Sequence, residues 1–377
     1  MRPVTNMTKK RRTRSRPLPG LVTAAQVAER AGVSKMTVSR VVNGSKRVTD
    51  ETRRAVKTAI KELGFVPSQL ARRLTGRRLG VVALLVPDLA NPFFTQVIHG
   101  CEDVMRDAGF TILLGNSGEA PHREKSFLET VGALQVDGVI LGATGDAATA
   151  AVQRLQRAGI AVVLIDRSVA DVDADLVVGA AVTPAYLLTQ HLLGHGHRRI
   201  AMVGGSPEAS TSRDRIRGYR DALRDHGIEP DERLIMGGAF TREVGKTTGA
   251  ALLVAPDRPT AIVAANSLLA FGVIDAALDL DLRVAKDLAV VSFDDVEVTA
   301  GRPFLTCADQ PAEEVGRIAA VRLLKRLNGD ESPAETIVLD TQVRIRASCG
   351  CDPGGRSTDP SAAFGENPAT GSQLAGE

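Results

Sequence analysis

Residues 23–43 read TAAQVAERAGVSKMTVSRVVN, and this stretch decides the fold of the amino-terminal part of the chain. Thr23 is suited to cap a helix, and Gln26 three residues later completes a capping box. Gly32 allows a tight turn after that helix, because a residue that leaves a helix often needs a positive φ. Ser34 is suited to cap a second helix that reaches the end of the stretch. The spacing therefore predicts two short helices joined by a glycine turn.

The second helix is predicted to have one apolar and one polar face. Val38, Val41 and Val42 lie on one side by helical spacing, which is typical of contact with a core. The opposite side carries Lys35, Met36, Ser39, Arg40 and Asn43. A third helix is predicted to begin at Thr49 and to end at Gly64. Two short helices packed by a third indicate a helix-turn-helix, whose second helix enters the major groove of DNA.

Side chains on the polar face match the groups that DNA presents. Arg40 is suited to pair bidentately with a guanine edge, and Lys35 to reach a base or a phosphate. Thr37 and Asn43 carry the hydrogen-bond donors expected of phosphate anchors. We therefore expect double-stranded DNA as the partner of this part of the chain.

The charge of the 377-residue chain is divided unevenly. The formal net charge is only +3, but residues 1–78 hold 20 Lys and Arg against 4 Asp and Glu, a balance of +16. Residues 79–377 hold 27 against 40, a balance of −13. A basic head attached to an acidic body predicts a polyanion as the partner of the head and a different task for the body.

Composition excludes several classes of protein. The apolar fraction of 44% and the charged fraction of 24% are typical of a globular protein and exclude a wholly disordered chain. No apolar run is long enough to span a bilayer, so we expect no membrane partner. No apolar segment follows the basic residues of the amino terminus as in a signal peptide, so we expect a cytoplasmic, nucleoid-associated protein.

The cysteines and histidines predict neither a disulfide framework nor a metal site. Four cysteines, at positions 101, 307, 349 and 351, are too few for a disulfide scaffold in a chain of this length. The pair Cys349 and Cys351 lacks a second pair at the spacing of a zinc site. His191, His195 and His197 form only a loose pattern, which we expect to serve in helix capping and solvation. No dinucleotide or phosphate-loop motif is present, so no cofactor is expected.

From residue 79 onward, apolar runs of strand length alternate with helical segments. This alternation is typical of βαβ units and a mostly parallel sheet. The predicted strands are residues 80–86, 111–114, 138–141, 161–165, 200–203, 260–264 and 288–293. Their number predicts two doubly wound subdomains rather than one small sheet.

These patterns divide the chain into five predicted segments. They are a flexible basic arm (1–21), a helix-turn-helix DNA-binding domain (22–67), a hinge helix and linker (68–78), an effector-binding and dimerisation core of two subdomains (79–348) and a disordered tail (349–377).

Polar side chains follow several of the predicted strands. Open α/β sheets bind ligands at the carboxyl ends of their strands, so these side chains are expected to line a binding cleft. The candidates are the polar residues Asp88, Asn91, Arg215, Asn266 and Asp294, together with the aromatic Phe93. Carboxylate, amide and guanidinium groups bind hydroxyls well, which favours a sugar or a similar small polar metabolite. With no Trp and only two Tyr to stack on a sugar, a nucleobase stays open as an alternative.

Residues 22–76 resemble the DNA-binding head of the lactose-repressor/galactose-repressor (LacI/GalR) family of bacterial transcription regulators. The resemblance extends over the body to residue 348, and it implies a periplasmic-binding-protein-like core of two lobes with an effector in the cleft. The matching segments include Ala31-Gly32-Val33-Ser34, Thr37-Val38-Ser39-Arg40-Val41-Val42-Asn43, Asn91-Pro92-Phe93-Phe94, Leu164-Ile165-Asp166-Arg167 and Ser292-Phe293-Asp294-Asp295. One departure is Ser267, since the family commonly has Asp after the Ala-Asn pair at 265–266.

In that family the segment after the head is a hinge helix that folds on the operator and wedges a leucine into the minor groove. The resemblance implies that Ser68 caps this helix and that Leu74 is the wedge, with Leu70 or Ala71 as its neighbour. The complete set of predicted DNA-contacting residues is Thr23, Ser34, Lys35, Met36, Thr37, Ser39, Arg40, Asn43, Ser68, Leu70, Ala71 and Leu74.

The sequence thus predicts a small all-α helix-turn-helix head and an α/β two-lobed periplasmic-binding-protein-like core with two doubly wound parallel sheets. The predicted function is that of a ligand-responsive repressor, a homodimer that binds a palindromic operator. One alternative is a solute-binding protein of the transport type, which would need a signal peptide. Another is a sugar-acting enzyme, for which the Asp294-Asp295 pair alone is a weak signal.

Overall fold

The computed structural model describes residues 22–42, 45, 47–65, 78–295 and 304–351. The chain divides into two compact units, Met1–Leu79 and Gly80–Glu377. Within the described ranges, no helix is both long and apolar enough to cross a membrane. The predicted contact residues Asn43, Ser68, Leu70, Ala71 and Leu74 lie outside these ranges, as do the predicted arm and residues 352–377 of the predicted tail.

The first unit contains the three predicted helices. They are α1 (Ala24–Arg30), α2 (Lys35–Val42) and α3 (Asp50–Leu63). The predicted capping box is present, because Thr23 Oγ1 accepts a hydrogen bond from Gln26 N and Gln26 Oε1 accepts one from Thr23 N at 2.8 Å. Gly32 has a φ of 63° in the turn, and Gly64 ends α3 with a φ of 64°. Both turns use the left-handed region that glycine enters without strain.

A small apolar core holds these helices together. It consists of Val27, Ala28, Val38, Val41, Val56 and Ala59. All three helices contribute to it, and burial of each larger side chain stabilises the unit by roughly 1.5–3 kcal/mol. Val38 and Val41 thereby fix which side of α2 faces away from the core.

The second unit contains two six-stranded sheets, each the centre of one lobe. The strands of the first lobe are β1 (Val81–Val86), β2 (Thr111–Asn116), β3 (Gly138–Leu141), β4 (Ala161–Ile165), β5 (Asp175–Gly179) and β11 (Thr336–Leu339). Those of the second lobe are β6 (Ile200–Gly204), β7 (Ile235–Gly237), β8 (Ala261–Ala264), β9 (Ala289–Phe293), β10 (Thr306–Asp309) and β12 (Gln342–Arg344). The order is β11-β5-β4-β3-β1-β2 in the first sheet and β12-β10-β9-β8-β6-β7 in the second.

Helices cover both sheets, as expected for doubly wound lobes. They are α4 (Pro92–Asp107), α5 (Pro121–Leu134), α6 (Thr149–Arg157), α7 (Val182–Gly194), α8 (Ser210–Asp225), α9 (Arg242–Leu253), α10 (Ser267–Asp279) and α11 (Ala312–Leu327). Short 3-10 helices span Asp146–Ala148, Glu232–Leu234 and Ala347–Cys349. Among the described residues, every strand pair is parallel except that of β12 with β10 at the edge of the second sheet. The fold class predicted from the sequence is confirmed, with this antiparallel edge as the one addition.

The seven predicted strands correspond to β1, β2, β3, β4, β6, β8 and β9. Sequence reasoning missed β5, β7, β10, β11 and β12. The residues of β11 and β12 are exposed or half-buried, since both strands lie at sheet edges. In β12 (Gln-Val-Arg) Val343 is the single apolar residue, so no continuous apolar run marks that strand.

The chain passes between the two lobes three times within the described residues. The crossings lie at residues 180–181, 310–311 and 340–341, between elements that belong to different lobes. Thr341 Oγ1 donates to the carbonyl oxygen of Ala180 at 2.9 Å, so two of the crossings are hydrogen-bonded to each other. Three adjacent connections leave a cleft between the lobes, with the strand carboxyl ends facing it.

The predicted tail begins at residue 349, but the structure places its first residues in the second lobe. Cys349 is only 2% exposed and ends the 3-10 helix that follows β12. The described core therefore continues to residue 351. Composition suggested a tail because glycine and serine surround these positions, while the buried contacts of Cys349 come from distant parts of the chain.

Helices α4 and α11 touch through two glycines in the first lobe. A Cβ at Gly100 would lie 2.0 Å from the carbonyl oxygen of Glu313, and a Cβ at Gly316 would lie 2.0 Å from that of Val97. The helix backbones are therefore in direct contact, which no other residue type permits.

We expect Gly100→Ala to lower the free energy of unfolding by about 1–3 kcal/mol, because overpacking outweighs the better helix propensity of alanine. Urea unfolding measures the effect. Gly194→Ala is the matched control, because a Cβ there meets no heavy atom of the described residues within 4 Å. That variant is expected to be neutral or slightly stabilised, and equal losses in both variants would contradict the close-contact account.

Candidate functional site

The exposed face of α2 is the candidate nucleic-acid interface. Lys35, Ser39 and Arg40 are exposed there, and Met36 is 64% exposed. Val38 and Val41 lie buried on the opposite face, so the rotation of the helix is fixed by its own core residues. The predicted row of polar and flexible side chains is therefore available to a partner.

Hydrogen bonds at the start of α2 hold this face in place. Ser34 Oγ accepts from Thr37 N at 3.1 Å and lies 3.0 Å from Thr37 Oγ1, as expected of a helix cap. One turn on, the Arg40 guanidinium donates to Met36 Sδ at 3.5 Å. Thr23 serves in the capping box of α1. Contact of these residues with DNA stays a prediction.

One basic residue of the first unit has a structural role that the sequence did not reveal. Arg53 Nη2 donates to the carbonyl oxygens of Ser45 at 2.9 Å and Val48 at 3.4 Å. It thereby ties the connection between α2 and α3 to α3. The guanidinium of Arg53 thus binds carbonyl groups within the protein, whereas the side chain of Arg40 is exposed to solvent.

The second candidate site is the cleft between the two lobes of the second unit. The two walls lie close together around a cavity of about 10 Å³, and the lining comes from both lobes. The lining residues are Asn91, Phe93, Phe94, Asp166, Arg167, Thr211, Arg215, Phe240, Asn266, Asp294 and Gln310. Five of the six residues predicted to bind an effector are among them.

Asp88 is the sixth, and it is absent from the lining that the described residues form. Its carboxylate accepts a hydrogen bond from Ala90 N at 2.9 Å and so closes a local turn. Asn91, which lies in the cleft, also caps α4 by accepting from Phe93 N at 3.0 Å. Both residues lie at the carboxyl edge of the sheet, as their position after β1 predicted. The direction in which each side chain points depends on the turn that follows the strand.

A buried network around Arg215 forms the wall of the second lobe. Arg215 is 3% exposed, donates to the carbonyl oxygen of Ala265, and lies over the ring of Phe293 at 4.1 Å. Asp294 Oδ1 accepts from Gln310 Nε2 at 2.7 Å, which links the end of β9 to a crossing between the lobes. Burial raises the pKa of the Asp294 carboxyl to about 6, although the nearby charge of Arg215 and the hydrogen bond from Gln310 oppose this shift.

The wall of the first lobe depends on Arg167, which sequence reasoning did not select. Its guanidinium forms a bidentate pair with Glu119, with both N···O distances at 2.8 Å, and its Nε lies 3.3 Å from Asp166 Oδ2. It also lies 4.7 Å from the ring centroid of Phe240, a residue of the second lobe. Asp166 and Arg167 follow β4, so the same rule of strand ends was available to find them. Glu119 follows β2 in the same way, three residues beyond Asn116, so the rule was available for it as well.

Several polar atoms of the cleft have no hydrogen-bond partner among the described residues. They are Nδ2 of Asn266, Nε of Arg215, Nε of Arg167 and Oε1 of Gln310. Asn266 Oδ1 is already occupied as the cap of α10, where it accepts from Leu269 N at 2.9 Å. Each unpaired buried polar group costs about 1–3 kcal/mol. The cleft therefore offers three donor atoms and one acceptor atom to a ligand that carries both kinds of group.

Ser267, where the resemblance leads one to expect Asp, is fully buried beside these atoms. Its hydroxyl also lacks a partner among the described residues. A neutral hydroxyl at this position leaves Asp166 and Asp294 as the carboxylates of the cleft lining.

Comparison with known proteins agrees with both halves of this description. The sequence profile described as bacterial regulatory proteins, lacI family, matches residues 23–68, and the periplasmic binding protein-like domain matches residues 189–349. A similar curated protein is the HTH-type transcriptional regulator DegA of Bacillus subtilis (strain 168). It is 32% identical over 331 residues, which cover 86% of this chain and 97% of that protein.

Solved structures resemble the whole described architecture. The transcriptional regulator CelR in complex with cellobiose is 34% identical, with a TM-score of 0.63, and the match covers 87% of this chain and 99% of CelR. The lac repressor dimer bound to operator and the anti-inducer ONPF is 25% identical, with a TM-score of 0.72, and the match covers 87% and 99% of the two chains.

The buried carboxyl of Asp294 predicts a pH-dependent stability. Its pKa is about 6 in the fold against an ordinary value of 3.8, so the folded state holds the proton more tightly. The favourable contribution is complete below about pH 4 and is lost as the pH rises through about 6. Asp294→Asn removes this titration. The unfolding free energy of the variant minus that of the wild type should therefore rise by about 2 kcal/mol between pH 4 and pH 7.

Chemical denaturation across that pH range measures the difference. NMR of carboxyl-labelled aspartates reports the titration midpoint of Asp294 directly. Asp287 provides an internal reference, because hydrogen bonds with Arg283 lower its pKa to about 2. A difference that does not change with pH would contradict the assignment.

Proposed function

Because the chain belongs to the LacI family of bacterial regulatory proteins, we propose that it is a repressor that binds a palindromic operator as a homodimer under the control of a small polar effector. It is a DNA-binding transcriptional regulator. Two observations carry the proposal: α2 has an exposed polar face, and several buried polar atoms of the cleft lack a partner among the described residues.

The geometry of the first unit supports base reading by α2. Buried Val38 and Val41 turn Arg40 and Lys35 away from the core, and the capped start of the helix places them within its first two turns. In helix-turn-helix proteins the amino-terminal residues of the second helix contact base edges. We assign Arg40 to a guanine and Lys35 to a base or phosphate, with Met36 and Ser39 between them.

A homodimer would place two such helices about one helical turn of DNA apart, which requires a near-palindromic operator. The lac repressor dimer, seen bound to its operator, supports this arrangement. The proposed domain plan retains the arm at 1–21, the DNA-binding domain at 22–67, the hinge at 68–78 and the effector core from residue 79. As a DNA-bound regulator the protein would act on the nucleoid in the cytoplasm.

The unpaired polar atoms of the cleft support a hydroxyl-rich effector. A sugar hydroxyl both donates and accepts, so it can accept from Arg215 Nε and Asn266 Nδ2 and donate to Gln310 Oε1. Asp166 and Asp294 add acceptors, and the aromatic rings of Phe93, Phe94 and Phe240 provide apolar surface. CelR, which was solved with cellobiose, supports a sugar over a nucleobase.

We further propose that the cleft binds its effector without changing it. The similar curated and solved proteins are regulators. Gln310 donates a hydrogen bond to the Asp294 carboxylate, and the nearby positive charge of Arg215 favours its ionised form. Because the cleft lies between two lobes joined by three crossings, an effector that prefers one lobe arrangement shifts the population of the two. Coupling of this kind changes affinity for DNA by typically ~1–3 kcal/mol.

Replacement of Arg40 tests the DNA-binding half of the proposal. Arg40→Ala should weaken binding to the cognate operator by about 1–3 kcal/mol and relax the preference for one base position, because the bidentate contact is lost. Arg40→Lys keeps the charge but not the planar fork, so it should lose the same preference while it retains the salt dependence of binding. Fluorescence anisotropy with cognate, mutated and scrambled duplexes over a series of salt concentrations measures both quantities.

If Arg40→Lys binds and discriminates like the wild type, Arg40 contacts a phosphate and the base-reading assignment is wrong. If neither variant changes binding, α2 does not read the operator. An unchanged response of each variant to the effector in a thermal shift confirms that the core is intact.

The effector half is tested by a thermal-shift screen of sugars and nucleosides. A ligand at about 100 times its Kd should add about 2.7 kcal/mol of stability. Arg215→Met and Asn266→Ala should each lower the ligand affinity at least tenfold and so reduce this stabilisation. Each variant removes a donor that lacks a partner among the described residues.

Asp88→Asn is the matched control, because Asp88 follows the same strand as Asn91 but closes a turn outside the cleft lining. Its ligand-induced shift should equal that of the wild type. Loss of the shift in Asp88→Asn but not in Arg215→Met would move the effector site away from this cleft.

A further inference from the structure

Four metal-ligating side chains from two distant segments meet in the second lobe, away from the cleft. His191 lies in the last turn of α7, and His195 follows the end of that helix. Cys349 ends the 3-10 helix after β12, and Cys351 lies two residues further on. From the sequence we expected no metal at the histidines and none at the cysteines, because each group by itself lacks the spacing of a metal site. The fold brings them together.

The distances between the ligand atoms are short. The Nε2 atom of His191 lies 3.3 Å from Cys349 Sγ and 3.2 Å from Cys351 Sγ. The Nε2 atom of His195 lies 3.2 Å from Cys351 Sγ. The two sulfur atoms are 2.8 Å apart, and both cysteines are free. The ligand atoms of His191, Cys349 and Cys351 all lie within 4.8 Å of one another.

We propose that these four residues bind a zinc-class divalent cation in a tetrahedral site with two sulfur and two nitrogen ligands. Zinc bonds of about 2.3 Å to sulfur and about 2.0–2.1 Å to nitrogen imply ligand separations of about 3.3–3.8 Å in a tetrahedron. The three N···S distances are within a few tenths of an ångström of that range. The two sulfur atoms, 2.8 Å apart, would have to separate by about 1 Å to hold the ion, and His195 would have to move closer to the group formed by His191, Cys349 and Cys351. On binding, both thiols lose their protons to solvent and coordinate as thiolates.

The ring of His195 is oriented as a ligand. His195 Nδ1 lies 2.8 Å from the carbonyl oxygen of His191. A carbonyl oxygen only accepts hydrogen bonds, so this contact requires that Nδ1 carry the proton. The Nδ1–H form leaves Nε2, the atom nearest Cys351, with its lone pair free. Such a hydrogen bond from the second ring nitrogen to a carbonyl is typical of metal-bound histidine.

The location indicates a structural role. Helix α7 follows the first crossing between the lobes, and the 3-10 helix follows the third crossing. A cation held by all four residues would fasten the end of the described chain to the second lobe. Four protein ligands leave no open coordination position, as in structural rather than catalytic zinc sites.

The neighbouring histidine offers a matched control. His197 belongs to the same sequence pattern, but its Nδ1 lies 2.9 Å from Thr260 Oγ1. We therefore assign it no part in the site.

The experiment measures bound metal in the full chain, purified under reducing conditions from zinc-supplemented medium. The variants are Cys351→Ser and His195→Asn, which change partly or fully exposed ligands, with His197→Asn as the control. Circular dichroism confirms that each variant is folded. We expect one zinc per chain by plasma mass spectrometry in the wild type and in His197→Asn. In the two ligand variants zinc affinity should fall at least tenfold.

Substitution with Co²⁺ gives an independent readout, since a tetrahedral thiolate site produces intense visible absorption and a sulfur-to-cobalt charge-transfer band. Both should be present in the wild type and in His197→Asn, and the charge-transfer band should weaken in Cys351→Ser. A chelator should lower the Tm of the wild type but not that of Cys351→Ser.

Two results would overturn the proposal. One is a wild-type protein that binds no stoichiometric zinc and whose Cys349 and Cys351 instead form a disulfide under non-reducing conditions. The other is zinc binding that Cys351→Ser and His195→Asn leave unchanged, which would place the metal elsewhere. Neither result bears on DNA or effector binding.

Discussion

Parallel strands all point the same way, and the functional core of this protein depends on that constraint. In each lobe the carboxyl ends of the strands meet at one edge of the sheet, and the three crossings place the two edges on either side of one cleft. Asn91 and Asp166 reach the cleft from the first sheet, and Asn266 and Asp294 reach it from the second. Residues far apart in sequence thus form one site without any local signal that connects them.

The cleft carries charges that are costly to bury, and the surrounding contacts show how they are tolerated. Arg167 is compensated by a bidentate pair with Glu119, whereas Arg215 has a carbonyl acceptor and the face of Phe293. Burial lowers the pKa of Arg215, the direction expected when a cation is incompletely compensated. The imbalance favours a ligand that brings its own acceptors, and the links from Arg167 to Phe240 and from Asp294 to Gln310 connect that ligand to both lobes. A binding event there can act on the lobe arrangement rather than on one wall alone.

Much of the fold was predictable because central strands and short capped helices have strong local patterns. The continuous apolar runs identified β1, β3 and β4, and the Thr23 capping box and Gly32 turn identified the helices of the head. Edge strands such as β12 lacked such a pattern, since partial exposure permits mixed residues. Among candidate site residues, the rule of strand ends was right about the region and wrong about Asp88, whose side chain turns back to Ala90. Side-chain direction within a turn depends on backbone angles that spacing alone does not specify.

The sequence by itself determined the identity of the two functional units. Charge separation, helix caps and the alternating faces of α2 are local properties, and local properties can be read in order along the chain. Only the tertiary structure decided which polar groups share a cleft, which of them remain unpaired, and that His191 and His195 lie against Cys349 and Cys351. These juxtapositions join residues more than 150 positions apart in the last case. They follow from the packing of sheets and crossings, and no spacing within one segment encodes them.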